Sequence, residues 1–164
     1  MRHLRLAVLI AASTLLLAGC GGGDEAQQNA AKKPVEQAVF TSTTDCADSG
    51  KLTMDQCVVV IEAAVAQHVA MAPTYGSLRS CEKAEGDDKC ERMDEKTYRP
   101  MLRAYLVIIA EQPIAIPLYP TKDGKAGFAG PDKTVYFGDD EKLQFSKKAV
   151  AAYERHLGAG AGPY

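Results

Sequence analysis

Cysteines are the residues of this 164-residue sequence whose type and spacing could do chemistry, and there are five of them. Four of these, Cys46, Cys57, Cys81 and Cys90, follow one another at separations of 11, 24 and 9 positions. Zinc knuckles and thiol redox sites use close pairs such as C-x-x-C, and no such pair occurs here. We therefore expect no metal and no cofactor. An even number of cysteines behind an export signal predicts two structural disulfides.

Four cysteines allow three pairings, and the sequence alone leaves them open. We favour the local pairing, Cys46 with Cys57 and Cys81 with Cys90, because two segments share one design. Each segment, DCADSGKLTMDQC and SCEKAEGDDKC, places a polar loop containing glycine between two cysteines. The alternative is a nested pairing, Cys46 with Cys90 and Cys57 with Cys81, which would clamp two helices together.

The fifth cysteine, Cys20, ends a segment that has the pattern of an export signal. Residues 1–20, MRHLRLAVLIAASTLLLAGC, join a basic start to an apolar stretch and a small residue, Gly19, before the cysteine. The last four, LAGC, resemble the lipobox of bacterial lipoproteins, which predicts cleavage between Gly19 and Cys20 and a diacylglycerol on the Cys20 thiol. Two or three acyl chains anchor a protein durably. Gly21 follows, rather than Asp, which favours the outer membrane with the domain facing the periplasm.

Composition then divides the chain. Residues 1–19 are predicted to be a signal peptide, and 20–43, rich in Gly, Ala, Gln, Lys and Glu, a flexible tether. Residues 44–157 form a single expected periplasmic domain, and 158–164 a frayed tail. The net charge of −2 argues against a nucleic-acid partner. Since only the N-terminal apolar run approaches membrane length, a channel or transporter is not expected.

His68 is the one histidine that shares a predicted helical face with a cysteine. Thr53 and Gln56 have the spacing of a capping box, so a helix should run from about Met54 to Met71. Cys57 and His68 fall on the same side of that helix. Because no second ligand or nucleophile lies at helical spacing, we interpret His68 as a neutral core residue bonded to a backbone group, whose replacement by Ala costs about 1 kcal/mol.

The remaining elements predict an α+β fold, a small disulfide-stapled domain with an N-terminal helical part and a short antiparallel C-terminal meander. A helix should run from Ser77 to Ala84 and end at Gly86. The stretch 100–112 fits a helix, which we favour, or a buried strand. Four β-like pieces separated by turn residues follow, and then a last helix over 147–157. The four pieces are Ile114–Tyr119, Lys125–Ala129, Thr134–Phe137 and Lys142–Phe145.

The cysteine segments together resemble the YgiB family of bacterial lipoproteins, a domain of unknown function. The resemblance covers roughly residues 44–145. It implies an envelope lipoprotein whose activity is uncharacterised, and it assigns no role to His68, because the family tends to a small residue there. The matching residues are Asp45-Cys46, Cys57, Ala72-Pro73-Thr74-Tyr75, Cys81, Gly86 and Cys90, and more loosely Tyr98-Arg99-Pro100-Met101 and Pro117-Leu118-Tyr119.

The sequence carries no nucleophile elbow, phosphate-binding loop or zinc-protease motif. The function expected first is therefore a non-catalytic binding or structural module, anchored to membrane lipid through Cys20 and bound to an envelope protein or peptidoglycan. The alternatives are a periplasmic enzyme and a thiol or metal sensor that uses the four later cysteines.

Overall fold

The computed structural model describes the backbone of residues 35–158 and the side chains of residues 35–155. The predicted signal peptide, the cleavage site between Gly19 and Cys20, and residues 159–164 lie outside this range. The helices and strands are β1 (Glu36–Phe40), α1 (Thr43–Asp48), α2 (Met54–Met71), α3 (Leu78–Glu85), β2 (Cys90–Arg92), β3 (Tyr98–Pro100), β4 (Ala104–Ile109), β5 (Ile114–Pro120), β6 (Gly127–Ala129), β7 (Val135–Phe137), β8 (Leu143–Phe145) and α4 (Lys147–Gly158).

Six strands form the main sheet in the order β7-β6-β5-β4-β1-β8, and β2 and β3 form a separate antiparallel pair. Four of the five pairings in the main sheet are antiparallel. The exception joins β1 to β8, which run parallel with Val39 opposite Phe145. The sheet is therefore mixed, and it curves into a nearly closed, barrel-like form.

Successive side chains of the central strands point to opposite faces of the sheet. They therefore form two separate apolar clusters, one on each face. Ala38, Phe40 and Val107 pack with residues of α1 and α2, including Cys46, Cys57 and Ile61. Val39 and Leu106 point the other way and pack with Phe128 and with the α4 residues Ala149 and Ala152. Thus α1 and α2 cover one face of the sheet and α4 covers the other.

The helix α2 has the bounds that the capping pattern predicts. The Thr53 side chain accepts from the Gln56 backbone N–H, and the Gln56 side chain accepts from the Thr53 backbone N–H, so the capping box is complete. By length and composition, α2 could also cross a membrane, with a mean hydropathy of 1.2, although composition had pointed only to the N-terminal run. One side of α2 is buried against the sheet, at Cys57, Ile61 and His68.

The expected fold class is wrong in its β part. The C-terminal pieces do not form a short antiparallel meander of their own, because β8 leaves that order and pairs with β1. The stretch 100–112, for which the sequence pattern favours a helix over a strand, contains the strand β4. Its run AYLVII is apolar throughout because β4 lies between two strands and is packed on both faces, the pattern of a buried strand.

The expected boundary between tether and domain is also too late in the chain. Residues 36–40, assigned to the tether 20–43, form β1, and Ser42 caps α1. The segment EQAVF is short, and its neighbours are polar and small, so composition alone hides it. It is held by its two neighbours in the sheet, β4 and β8, which follow it by more than 60 residues in the chain.

Candidate functional site

Both disulfides are present, and both are local. Cys46 of α1 bonds Cys57 of α2, with 5.9 Å between their Cα atoms, and Cys81 of α3 bonds Cys90 of β2, with 6.2 Å. Cys46, Cys57 and Cys81 are fully buried. The arrangement is the one favoured above, and the nested alternative does not occur. Each bridge closes a polar loop and ties a helix to the next element along the chain.

His68 is the centre of a buried polar cluster rather than a histidine bonded to the backbone. Only 2% of its surface is exposed. Its Nδ1 lies 3.2 Å from the Tyr119 hydroxyl on β5, and its Nε2 lies 3.5 Å from Glu91 Oε1 on β2. The same Glu91 oxygen accepts from Arg99 Nε of β3 at 2.6 Å. The cluster therefore joins α2, the main sheet and the small β2–β3 ribbon.

Electrostatics keeps the His68 ring neutral. Burial lowers its pKa, the positive charge of Arg99 lowers the pKa further, and the hydrogen bond and charge of Glu91 oppose these effects. Because Glu91 is already paired with Arg99, its carboxylate is shared between two partners. Burial also raises the pKa of the Tyr119 phenol, so this group stays protonated. A neutral imidazole beside a protonated phenol needs no counter-ion.

A second polar cluster lies nearby, around Glu85 at the end of α3. The Tyr75 hydroxyl donates to Glu85 Oε1 at 2.6 Å, and Lys133 Nζ pairs with Glu85 Oε2 at 2.6 Å. Burial, together with the Glu85 carboxylate, raises the pKa of Tyr75 to about 12. Glu85 is 8% exposed and fully paired, so the cluster anchors α3 to the loop between β6 and β7.

A small apolar pocket of about 200 Å³ lies beside the two clusters. It is lined mainly by proline rings and by residues at the C-terminal end of α2, together with Tyr119 of β5 and the polar residues Gln67 and Lys133. The volume is below the usual range for a small-molecule site, which begins at about 300 Å³. The lining residues include Met71, Pro73, Pro100, Pro117, Tyr119 and Pro131.

The outward side of α2 is the most apolar exposed surface of a helix in the described region. Val59, Val69 and Met71 are 67%, 57% and 73% exposed. Ala63, Ala66 and Ala70 are exposed between them, and the charged residues of the helix are Asp55 and Glu62. We call the exposed residues of α2 from Val59 to Met71 the α2 face. Soluble domains seldom leave such a contiguous apolar surface uncovered without a function for it.

The predicted site residues are thus only partly brought together. The four later cysteines lie in two separate bridges, and His68 shares a helix with Cys57 but bonds to Glu91 and Tyr119. Within residues 35–155, no three His, Cys, Asp or Glu side chains are placed to hold a metal ion. Sequence reasoning missed Glu91, Arg99 and Tyr119. Only pairing across the sheet brings them to His68, although Tyr98-Arg99-Pro100-Met101 and Pro117-Leu118-Tyr119 carried part of the resemblance.

Comparison with protein families places the chain. Residues 34–155 match the family described as protein of unknown function DUF1190, and the chain belongs to that family. The matched segment begins two residues before β1 and ends within α4, so it agrees with the structural domain rather than with a boundary at residue 44. No curated protein and no solved structure matches the chain.

Proposed function

We propose that the protein is a lipid-anchored module of the bacterial cell envelope, of the YgiB type, that binds another envelope protein without catalysing a reaction. Two features support the location. The segment ending in Cys20 has the pattern of a lipoprotein signal, and two closed disulfides suit an oxidising compartment such as the periplasm. The polar stretch that follows Cys20 would act as a tether between the outer membrane and the domain.

The α2 face carries the binding part of the proposal. It combines exposed valines and Met71 with small alanines, which allow another backbone to approach closely. The charged residues of α2 are acidic, with Glu62 within the face and Asp55 before its N-terminal end, so an anionic membrane surface would be repelled. A protein surface fits, provided that it is apolar and bordered by Lys or Arg. Peptidoglycan, with few apolar groups, would leave the valines uncovered.

Lipid attachment is tested by replacing Cys20 with Ser. Serine lacks the thiol that accepts the diacylglycerol, so Cys20→Ser should lose incorporation of a fatty-acid probe in growing cells and leave the membrane fraction or remain uncleaved. The wild-type chain expressed at the same level is the control. Label retained by the Ser variant would overturn the anchor.

Docking is tested with a photo-crosslinking amino acid in place of Val59 or Ala66, in the full chain and in intact cells. Both positions should give the same protein adduct, and the same probe in place of the exposed Glu141, in the loop between β7 and β8, should not. Adding Glu62→Lys to the α2 variants should weaken their adduct, because it repels a basic border. The matched control is Lys142→Glu, which reverses an exposed charge outside the α2 face and should leave the adduct unchanged.

Three results would contradict the docking proposal. These are adducts to lipid alone, adducts of equal strength from position 141, and adducts that do not respond to Glu62→Lys.

The same cells also test the alternative that the protein is a thiol sensor. A sensor needs reducible cysteines, whereas the proposal expects no free thiol in the periplasmic protein, because Cys46, Cys57 and Cys81 are buried in closed bridges.

A further inference from the structure

A larger cavity, of about 850 Å³, lies along α4, and none of its lining residues belongs to the α2 face or to the His68 cluster. Its walls come from α4, from the segment just before β4, from the end of β1, and from the loop between α3 and β2. The residues that line it are mainly basic or small. It consists of Thr41, Asp88, Arg103, Lys148, Ala151, Ala152 and Arg155.

Arg103 is the side chain that gives this cavity a chemical preference. Its Nε is buried and has no hydrogen-bond partner within the described part of the chain. Its backbone is fixed, since the Arg103 N–H donates to the Leu118 carbonyl at 2.9 Å. A guanidinium remains charged in proteins, and a buried charged donor without an acceptor is unfavourable. Because this Nε is closed to solvent, an anion in the cavity would instead contact the part of the Arg103 side chain that lines it, and would stabilise the guanidinium charge there.

The other charged residues that line the cavity also favour a bound anion. Arg155 and Lys148 line the same cavity, and Asp88 is the acidic residue among its lining residues. Lys148 lies 3.4 Å from Asp48, but both side chains are more than half exposed, so this pair holds Lys148 weakly. Burial lowers the pKa of Arg103, the like charge of Arg155 lowers it further, and the negative charge of Glu91 opposes both effects. Two guanidinium groups thus lie near each other, and the Glu91 carboxylate that also acts on Arg103 is already paired with Arg99.

We propose that this cavity binds a phosphate group, with Arg103 and Arg155 as its main ligands and Lys148 at the rim. Guanidinium groups match the oxygens of phosphate with paired hydrogen bonds, and a lysine adds a point charge. Three cations against one carboxylate leave a formal excess of two, which fits a phosphate dianion better than a single carboxylate. The cavity is large enough to hold the organic part of a phosphate ester. The proposal does not depend on the lipid anchor or on the α2 face.

The test uses the purified full chain in a neutral detergent and two probes. Inorganic phosphate represents a soluble source, and dihexanoyl phosphatidic acid, a phosphate monoester kept below its micelle concentration, represents a lipid headgroup. Calorimetric titration should detect binding of at least one probe at millimolar concentration. Arg155→Gln, an exposed substitution on α4, should weaken it roughly tenfold or more, as should Arg103→Gln. The same probe should raise the melting temperature of the wild-type chain by more than that of either cavity variant.

Arg79→Gln is the matched control, since it removes one positive charge from an exposed position on α3, outside the cavity lining. Arg155→Gln keeps the test valid if Arg103→Gln fails to fold. Phosphate binding lost in both cavity variants supports a soluble phosphate ester, and loss of lipid binding alone supports a headgroup. The proposal is overturned if neither probe binds, or if Arg79→Gln weakens binding as much as the cavity variants do.

Discussion

His68 shows what burial does to a single polar side chain in this domain. It fills space between α2 and β5, and it satisfies the Tyr119 hydroxyl while contacting Glu91. We expect His68→Ala to lower the free energy of unfolding by about 2–4 kcal/mol, because it leaves a cavity and an unpaired buried hydroxyl. Chemical denaturation of the full chain would measure this. A loss near 1 kcal/mol, the value expected from sequence, would mean that water replaces the ring.

His68 should also contribute to the pH dependence of the free energy of unfolding. The pKa of His68 is lowered in the folded domain from its ordinary value of 6.5. The unfolded chain therefore binds a proton on His68 more readily, and stability falls as the pH drops below about 6.5. His68→Gln should reduce this loss between about pH 7 and pH 5.5. Denaturant melts at several pH values would test it, and an unchanged slope would contradict a neutral buried ring.

Gly127 is the glycine whose lack of a side chain matters most for the sheet. It has φ of +143°, and a Cβ at this position would lie 2.1 Å from the Tyr136 carbonyl oxygen on β7. Gly127→Ala should therefore cost about 2–4 kcal/mol of stability. Gly76→Ala is the control, since nothing lies within 4 Å of its Cβ position, and it should change stability by less than about 0.5 kcal/mol. Equal melting temperatures for the two variants would contradict this account.

At the scale of elements, the two disulfides act on separate pairs. One ties α1 to α2 and the other ties α3 to β2. Peptide mapping without reduction, after cleavage between Cys57 and Cys81, should give no cross-linked fragments that span the break. Finding Cys57 joined to Cys81 would contradict the structure. Replacing Cys81 and Cys90 together by Ala should cost about 3 kcal/mol, the loop-closure value for a short loop.

The elements that sequence predicted well are those specified by neighbouring residues. The capping box fixed the start of α2, and Ser77 and Gly86 bounded α3, because these signals act within one helical turn. β4 was missed because a strand packed on both faces has no alternation to distinguish it from a buried helix. The partners of His68 could not be predicted, since they lie 23 and 51 positions away in sequence.

At the scale of the molecule, β1 decides where the domain begins. It lies between β4 and β8, with Val39 fully buried, so its removal would leave two strands without their partner. A chain that starts at residue 35 should fold with a cooperative thermal transition, whereas one that starts at residue 41 should not. Circular dichroism on both would decide this. Cooperative folding of the shorter chain would support the domain boundary at residue 44 that composition favoured.

The parallel pairing of β1 with β8 has a consequence for the order in which the chain can fold as it emerges from the ribosome. Asp45 accepts from the Ser146 hydroxyl across 101 positions of sequence, and the Ser146 N–H donates to the Val39 carbonyl. β1 can pair with β4 early, but its other edge stays open until nearly the whole domain has emerged. Over that interval the unpaired edge is a place where a chaperone, or another nascent copy, could add a strand.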